Sequence, residues 1–139
     1  MPKQLWTILC TSISIDQETN VISLFGVIEQ LQIGGGMSVD QQLVLPSQFN
    51  LVTLWTRSDA DKAEKAVARY NLQLPNGEIK PGGEIQVELT SSIRNRSIVK
   101  INGLPIHGPG EYKFLIEIRA DDSQEWIRAH ELPLQVEFI

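Results

Sequence analysis

The sequence contains a single cysteine, Cys10, so no disulfide can form within the chain and thiolates are too few for a structural zinc site. Histidine is almost as scarce: His107 and His130 are the only two, and neither has a local partner at the spacing of a catalytic motif. No G-x-S-x-G, H-E-x-x-H or P-loop pattern occurs, and Gly34-Gly-Gly36 lacks both the lysine and the helix that would cradle a phosphate. No stretch approaches the ~20 apolar residues of a membrane-spanning helix. The N-terminal Met1-Pro-Lys-Gln-Leu-Trp6 has neither the basic start nor the apolar run of a signal peptide. Cations are outnumbered, with 12 Lys and Arg against 17 Asp and Glu and a net charge of -5, which argues against nucleic acid as a partner. These shortages point to a cytoplasmic protein in a reducing compartment, with no cofactor and no membrane partner. Asn95-Arg-Ser97 matches a glycosylation acceptor and reads as a chance match in a turn.

What the chain does have is enough apolar material for one core: 139 residues, 42% of them hydrophobic, fit a single domain over 1–139. Its hydrophobic period is two. In Glu84-Ile-Gln-Val-Glu-Leu-Thr90 the residues Ile85, Val87 and Leu89 alternate with Gln86 and Glu88, giving one buried and one solvated face. Ala68, Tyr70, Leu72 and Leu74 alternate with Arg69, Asn71 and Gln73 in the same way. So do Leu132, Leu134, Val136 and Phe138, where Pro133 implies an edge or a strand start because it has no N–H to donate. Turn signals stand between the runs: Asp-Gln-Glu-Thr-Asn at 16–20, Gly-Gly-Gly at 34–36, Pro-Asn-Gly at 75–77, Pro-Gly-Gly at 81–83, Gly-Pro-Gly at 108–110 and Asp-Asp-Ser at 121–123. Strands are expected at roughly 4–15, 21–32, 49–57, 66–74, 84–92, 97–102, 111–119, 125–130 and 132–138, about eight or nine in all. One short helix is expected over 58–66, with Ser58 as its cap and Asp61 three residues on.

Many short strands divided by Gly and Pro turns predict an all-β fold, an antiparallel β-sandwich, with a small barrel as the alternative. Gly108-Pro-Gly-Glu-Tyr-Lys-Phe114 resembles the G-x-Y-x-F start of a late strand in immunoglobulin-like domains. The resemblance makes Tyr112 the corner tyrosine, its ring in the core and its hydroxyl bonded to nearby backbone. More broadly, three pieces are similar to a family of small uncharacterised bacterial all-β domains: Cys10-Thr-Ser-Ile-Ser-Ile-Asp-Gln-Glu-Thr-Asn-Val-Ile-Ser-Leu-Phe-Gly-Val-Ile28, Gly110-Glu-Tyr-Lys-Phe-Leu-Ile116, and the closing Leu134-Gln-Val136. That resemblance implies the sandwich and supplies no site residue.

Asp16, Glu18 and Asn20 place three oxygen-bearing side chains at alternate positions, the start of a calcium loop. An EF-hand would then need glycine and glutamate where this chain has Val21 and Val27, so that loop is excluded. Another calcium arrangement would recruit Asp121 and Asp122, or Asp59 and Asp61, from other loops. The simpler expectation is a turn in which Asp16 and Asn20 bond their own backbone. Cys10 alternates with Trp6 and Ile8 and reads as a buried core thiol. Glu78, Glu84, Glu88, Glu111 and Glu117 read as solvated strand faces. Of the tryptophans, Trp55 follows Phe49, Leu51 and Thr53 at alternate positions and is expected in the core, whereas Trp126, just after a turn, is the binding-surface candidate.

With little equipment for chemistry, the expected function is a non-enzymatic protein-interaction or assembly module that binds a protein partner, or itself, through a sheet edge or loop end. The alternative is a carbohydrate- or calcium-binding module. Third is a hydrolase that gathers His107 or His130 with carboxylates.

Overall fold

The computed structural model describes residues 1–139: ten strands, no helix, and two packed sheets. No helix is long and apolar enough to cross a membrane. The smaller sheet is antiparallel and holds β1 (Lys3–Ile15), β2 (Ile22–Val27), β4 (Gln42–Thr56) and β8 (Arg94–His107) in the order β2-β1-β4-β8. The larger sheet holds β3 (Gln30–Ile33), β5 (Glu64–Gln73), β6 (Ile79–Lys80), β7 (Glu84–Leu89), β9 (Gly110–Arg119) and β10 (Ile127–Phe138), ordered β3-β10-β9-β5-β6 with β7 also paired to β5. Only β3 and β10 pair in parallel. The chain crosses between the sheets from β2 to β3 and back to β4, then from β4 to β5, from β7 to β8 and from β8 to β9, and closes with the β9–β10 hairpin. That is the B, C, E, F, G path of an immunoglobulin-like sandwich.

Alternation builds the core. Ala66, Ala68, Tyr70 and Leu72 of β5, with Leu74 just after it, face Leu51 and Trp55 of β4 across the interior, and Val87, Leu89, Ile116, Leu134 and Val136 complete the layer. Each Val, Leu or Ile among them contributes about 1.5–3 kcal/mol when fully buried. The interleaved Arg69, Asn71 and Gln73 stay partly exposed on the other face.

The structure corrects the expected elements in several places. Predicted strand 21–32 is broken at Ile28 and Glu29, so that β2 stays in the smaller sheet while β3 joins the larger one. Predicted strands 125–130 and 132–138 are one strand, β10, with a bulge between Arg128 and His130. Pro133 lies inside β10, opposite Lys113 of β9 and ahead of the stretch Gln135–Phe138 that β3 covers, so one side of β10 is still an open edge there. The helix over 58–66 does not form: Asp59 Oδ1 accepts from the Asp61 amide at 3.0 Å in a single turn, and Ser58 is bonded by Glu64, already in β5, at 2.8 Å. β4 and β8 run well beyond 49–57 and 97–102, through a bulge between Leu45 and Gln48 that absorbs Pro46.

Tyr112 is the corner tyrosine. It is fully buried at the start of β9, its hydroxyl donates to the Gly108 carbonyl at 2.7 Å and accepts from the His107 amide at 2.9 Å. The two bonds fix the turn from β8 to β9 as the chain changes sheets. Replacing Tyr112 with Phe leaves both backbone groups without this partner while keeping the ring, and is expected to cost about 1–3 kcal/mol in urea unfolding. A loss below ~0.5 kcal/mol would show that the corner bonds do not hold the crossover.

Candidate functional site

The turn at 16–20 consumes the ligands that the sequence appears to offer. Asp16 Oδ1 accepts from the Glu18 amide at 2.9 Å and the Thr19 amide at 3.0 Å, and the Asp16 and Asn20 amides bond Val21 O and Asp16 O. Asn20 sits at φ 60°, a conformation that Asn tolerates in turns. No group of three His, Cys, Asp or Glu side chains is placed to hold a metal ion. Asp121 is likewise used locally, accepting from the Ser123 amide at 2.8 Å, and Asp122 pairs with Arg119 at 3.2 Å in the β9–β10 turn of the larger sheet. Asp59 and Asp61 belong to the β4–β5 turn.

The β1–β2 hairpin does more than turn. Arg96 of β8 donates to Asn20 O at 3.1 Å and to Asn20 Oδ1 at 3.5 Å. Because β1 and β4 separate β2 from β8, this contact requires the hairpin to fold back across the outer face of the smaller sheet. Within β2, Gly26 takes φ +63°, and a Cβ there would run into the Thr11 side chain of β1. Cys10 and Val52 are fully buried, yet both lie outside the main core cluster. Cys10 is therefore a buried thiol on the outer face of its sheet and not in the central core, a correction that follows from Leu9 taking the inward position opposite Leu51. Burial pushes its thiol pKa up, away from reactivity.

Trp126 is half-buried, with the guanidinium carbons of Arg69 and Arg119 at 4.4 and 4.2 Å from its ring centroid. Arg69 is held in turn by Glu117 at 2.9 Å. The ring that looked like an open binding platform thus has arginine stacked on it, an arrangement worth about 0.5–1 kcal/mol per cation at an exposed site. Trp55 is fully buried, as expected. His107 ends β8 and shares a shallow groove with Glu78 and Lys80, while His130 lies at the β10 bulge, so the two are not gathered into one site. Lys80 pairs with Glu78 at 2.9 Å and holds that carboxyl below its usual range. Glu84 and Glu88 are exposed on β7, Glu111 lies beside Lys113, and Glu117 is taken by Arg69.

The most developed concavity lies where the sandwich opens on one flank, between β8 and the segment Lys80–Gly83. It is a cleft of about 200 Å³ whose apolar floor comes from both sheets: Tyr70, Leu72, Phe114, Val99, Ile101 and Leu104. Lys80 and Lys100 are the cations of its lining, which contains no carboxylate, histidine or cysteine. β8 is the last strand of its sheet, and between Val99 and Ile106 it makes no backbone bond outside the ladder with β4. Its outward N–H and C=O groups therefore face the cleft side unpaired. Opposite, Gly82 packs so closely on the Tyr70 carbonyl that a Cβ would run into it and only glycine fits. Close approach there keeps the Lys80–Gly83 segment against β5 and leaves the cleft open. In the sequence Tyr70, Leu72 and Phe114 read as strand residues and Pro81-Gly-Gly83 as a turn, none of them as a site; the signal for one was the run Arg94–His107, which carries Arg94, Arg96 and Lys100 and no acid in an otherwise acidic chain.

No protein-family model and no curated protein matches the sequence, which agrees with its resemblance to uncharacterised all-β domains. Two solved structures of a β-glucosidase from Listeria innocua, in complex with glucose and with gluconolactone, align with 96% of this chain at 10% and 11% identity and TM-scores of 0.46 and 0.42. This chain spans 16% of each of them, and the likeness carries no inference about activity.

The Thr19 and Glu18 amides hold the Asp16 carboxyl below the usual carboxylate range. A lowered folded-state pKa means that its contribution to the turn is present above the unfolded value of ~3.9 and is lost as pH falls through the folded value. Side-chain NMR titration is expected to give Asp16 a midpoint below ~3.9, with the Asn20–Arg96 contact loosening over the same range. A midpoint at or above ~3.9 contradicts the turn assignment.

Proposed function

We propose that this protein is a non-enzymatic protein-interaction module that takes an extended segment of a protein partner at the open edge of β8. The observation that carries this reading is the coincidence of an unpaired strand edge with an apolar cleft directly beside it. An extended segment laid along β8 satisfies the outward backbone groups by main-chain bonds, and its alternate side chains enter the cleft between the sheets. The cleft offers recognition without chemistry, since its only titratable side chains are Tyr70, Lys80 and Lys100. Carbohydrate and calcium readings are less well supported, because the Trp126 ring is stacked with arginine and the Asp16 and Asp121 oxygens already bond local amides.

Selection from a displayed library of random peptides of about ten residues, followed by NMR titration of a selected peptide into labelled protein, tests the assignment. Shifts confined to the amides of Val99–Leu104, Gly82 and Gly83 are expected. Selected peptides that perturb a different surface, or a library that yields none, would overturn it.

A further inference from the structure

We infer that the segment bound at the β8 edge alternates apolar and acidic residues; this rests on the reading of β8 as a strand-accepting edge. The pattern follows from the alternation of β8 itself. Val99 and Ile101 pair with Leu51 and Phe49 and point inward, whereas Lys100 pairs with Asn50 and points to the outer face, where Arg96 also lies. A strand added beside β8 repeats that division, because successive side chains alternate faces. Its inward residues lie over the apolar cleft floored by Leu72, Leu104 and Phe114, and exclude water only if they are apolar. Its outward residues stand beside Lys100, where opposite charge is favourable and like charge is not.

Charge also decides between occupants. The stretch Arg94–His107 holds three cations and no acid, so a second copy docking β8 against β8 sets cation beside cation. Cationic residues on an edge strand commonly serve just to prevent such self-pairing. Here the same edge borders an apolar cleft and carries the exposed Lys100 on its outer side, which an acidic partner strand complements and a basic one does not, whereas Lys80 across the cleft is already paired with Glu78. The chain's own acidic edge strand, β7, already commits Val87 and Leu89 to its own core, with Ile85 packed against it, so it has no free apolar side chains for a neighbour's cleft.

The test compares three capped synthetic peptides of about ten residues: alternating Val and Glu, alternating Val and Lys, and alternating Ser and Glu. Binding is followed by NMR with wild-type protein and with Lys100→Glu, an exposed and structurally mild substitution. The Val/Glu peptide is expected to bind at Val99–Leu104 at least about tenfold more tightly than either other peptide, with Lys100→Glu and raised salt each removing most of the advantage over Val/Lys. Equal binding of Val/Glu and Val/Lys at this edge overturns the charge inference while leaving the strand-accepting edge intact. Equal binding of Val/Glu and Ser/Glu overturns the apolar half of the pattern. If no peptide binds and the same amides shift with protein concentration alone, the occupant is a second copy and the inference fails. If no peptide binds and nothing shifts, both the inference and the reading of the edge fail.

Discussion

Pairing between β4 and β8 is the constraint on which the rest of the architecture depends. It runs from Thr56 opposite Arg94 to Gln42 opposite His107, and it carries Leu51, Trp55, Leu104 and Ile106 into the core together. β1 takes the other side of β4 and no strand pairs with the free side of β8, so β8 is an outer strand and that flank of the sandwich stays open. A barrel would have removed the edge by joining its two ends. This fold leaves the edge, and the cleft is the gap between that edge and the outer strands of the facing sheet.

The two bulged strands manage this edge in a characteristic way. Pro46 falls in the bulge of β4, and Gly103, at φ +87°, allows β8 to follow with only 2.7 Å between a would-be Cβ and Val44. Pro105 then sits on the outermost strand, where its missing N–H weakens the open edge near the end of the cleft. The corner at Gly108–Tyr112 ends the strand and returns the chain to the opposite sheet. Stretch by stretch, the same residues that limit pairing at the far end of β8 leave Val99 to Leu104 as the part of the edge where pairing remains geometrically open.

On the opposite face, the β1–β2 hairpin shows how a polar turn can serve packing. Asp16 stabilises the turn through its own neighbours, and Asn20, held in the left-handed region, presents its carbonyl to Arg96. The outcome is a cover folded across the outer face of the smaller sheet, with Cys10 and Val52 buried although they belong to neither side of the central layer. Sequence reading recognised the turn and the burial of Cys10. It placed the thiol in the wrong layer because alternation specifies which residues share a face, not which face meets the core: Trp6, Ile8 and Cys10 do share a face, and it is the outer one.

Period-two alternation by itself determined the all-β class and the buried faces of β5, β7 and β10, and the G-x-Y-x-F resemblance pointed to the corner role of Tyr112, because all of these depend on residues close together in the chain. The capping pattern of Ser58 and Asp61 led to a helix at 58–66 that the pairing of Glu64 into β5 overrides. Only the tertiary structure decided that β2 and β3 part into different sheets, that Trp126 meets Arg69 and Arg119, and that Val99, Ile101, Leu72 and Phe114 border one cleft. The physical reason is the same in each case: which strand ends a sheet is set by long-range pairing, and an edge has no local sequence signature beyond the charges, prolines and bulges that restrain it.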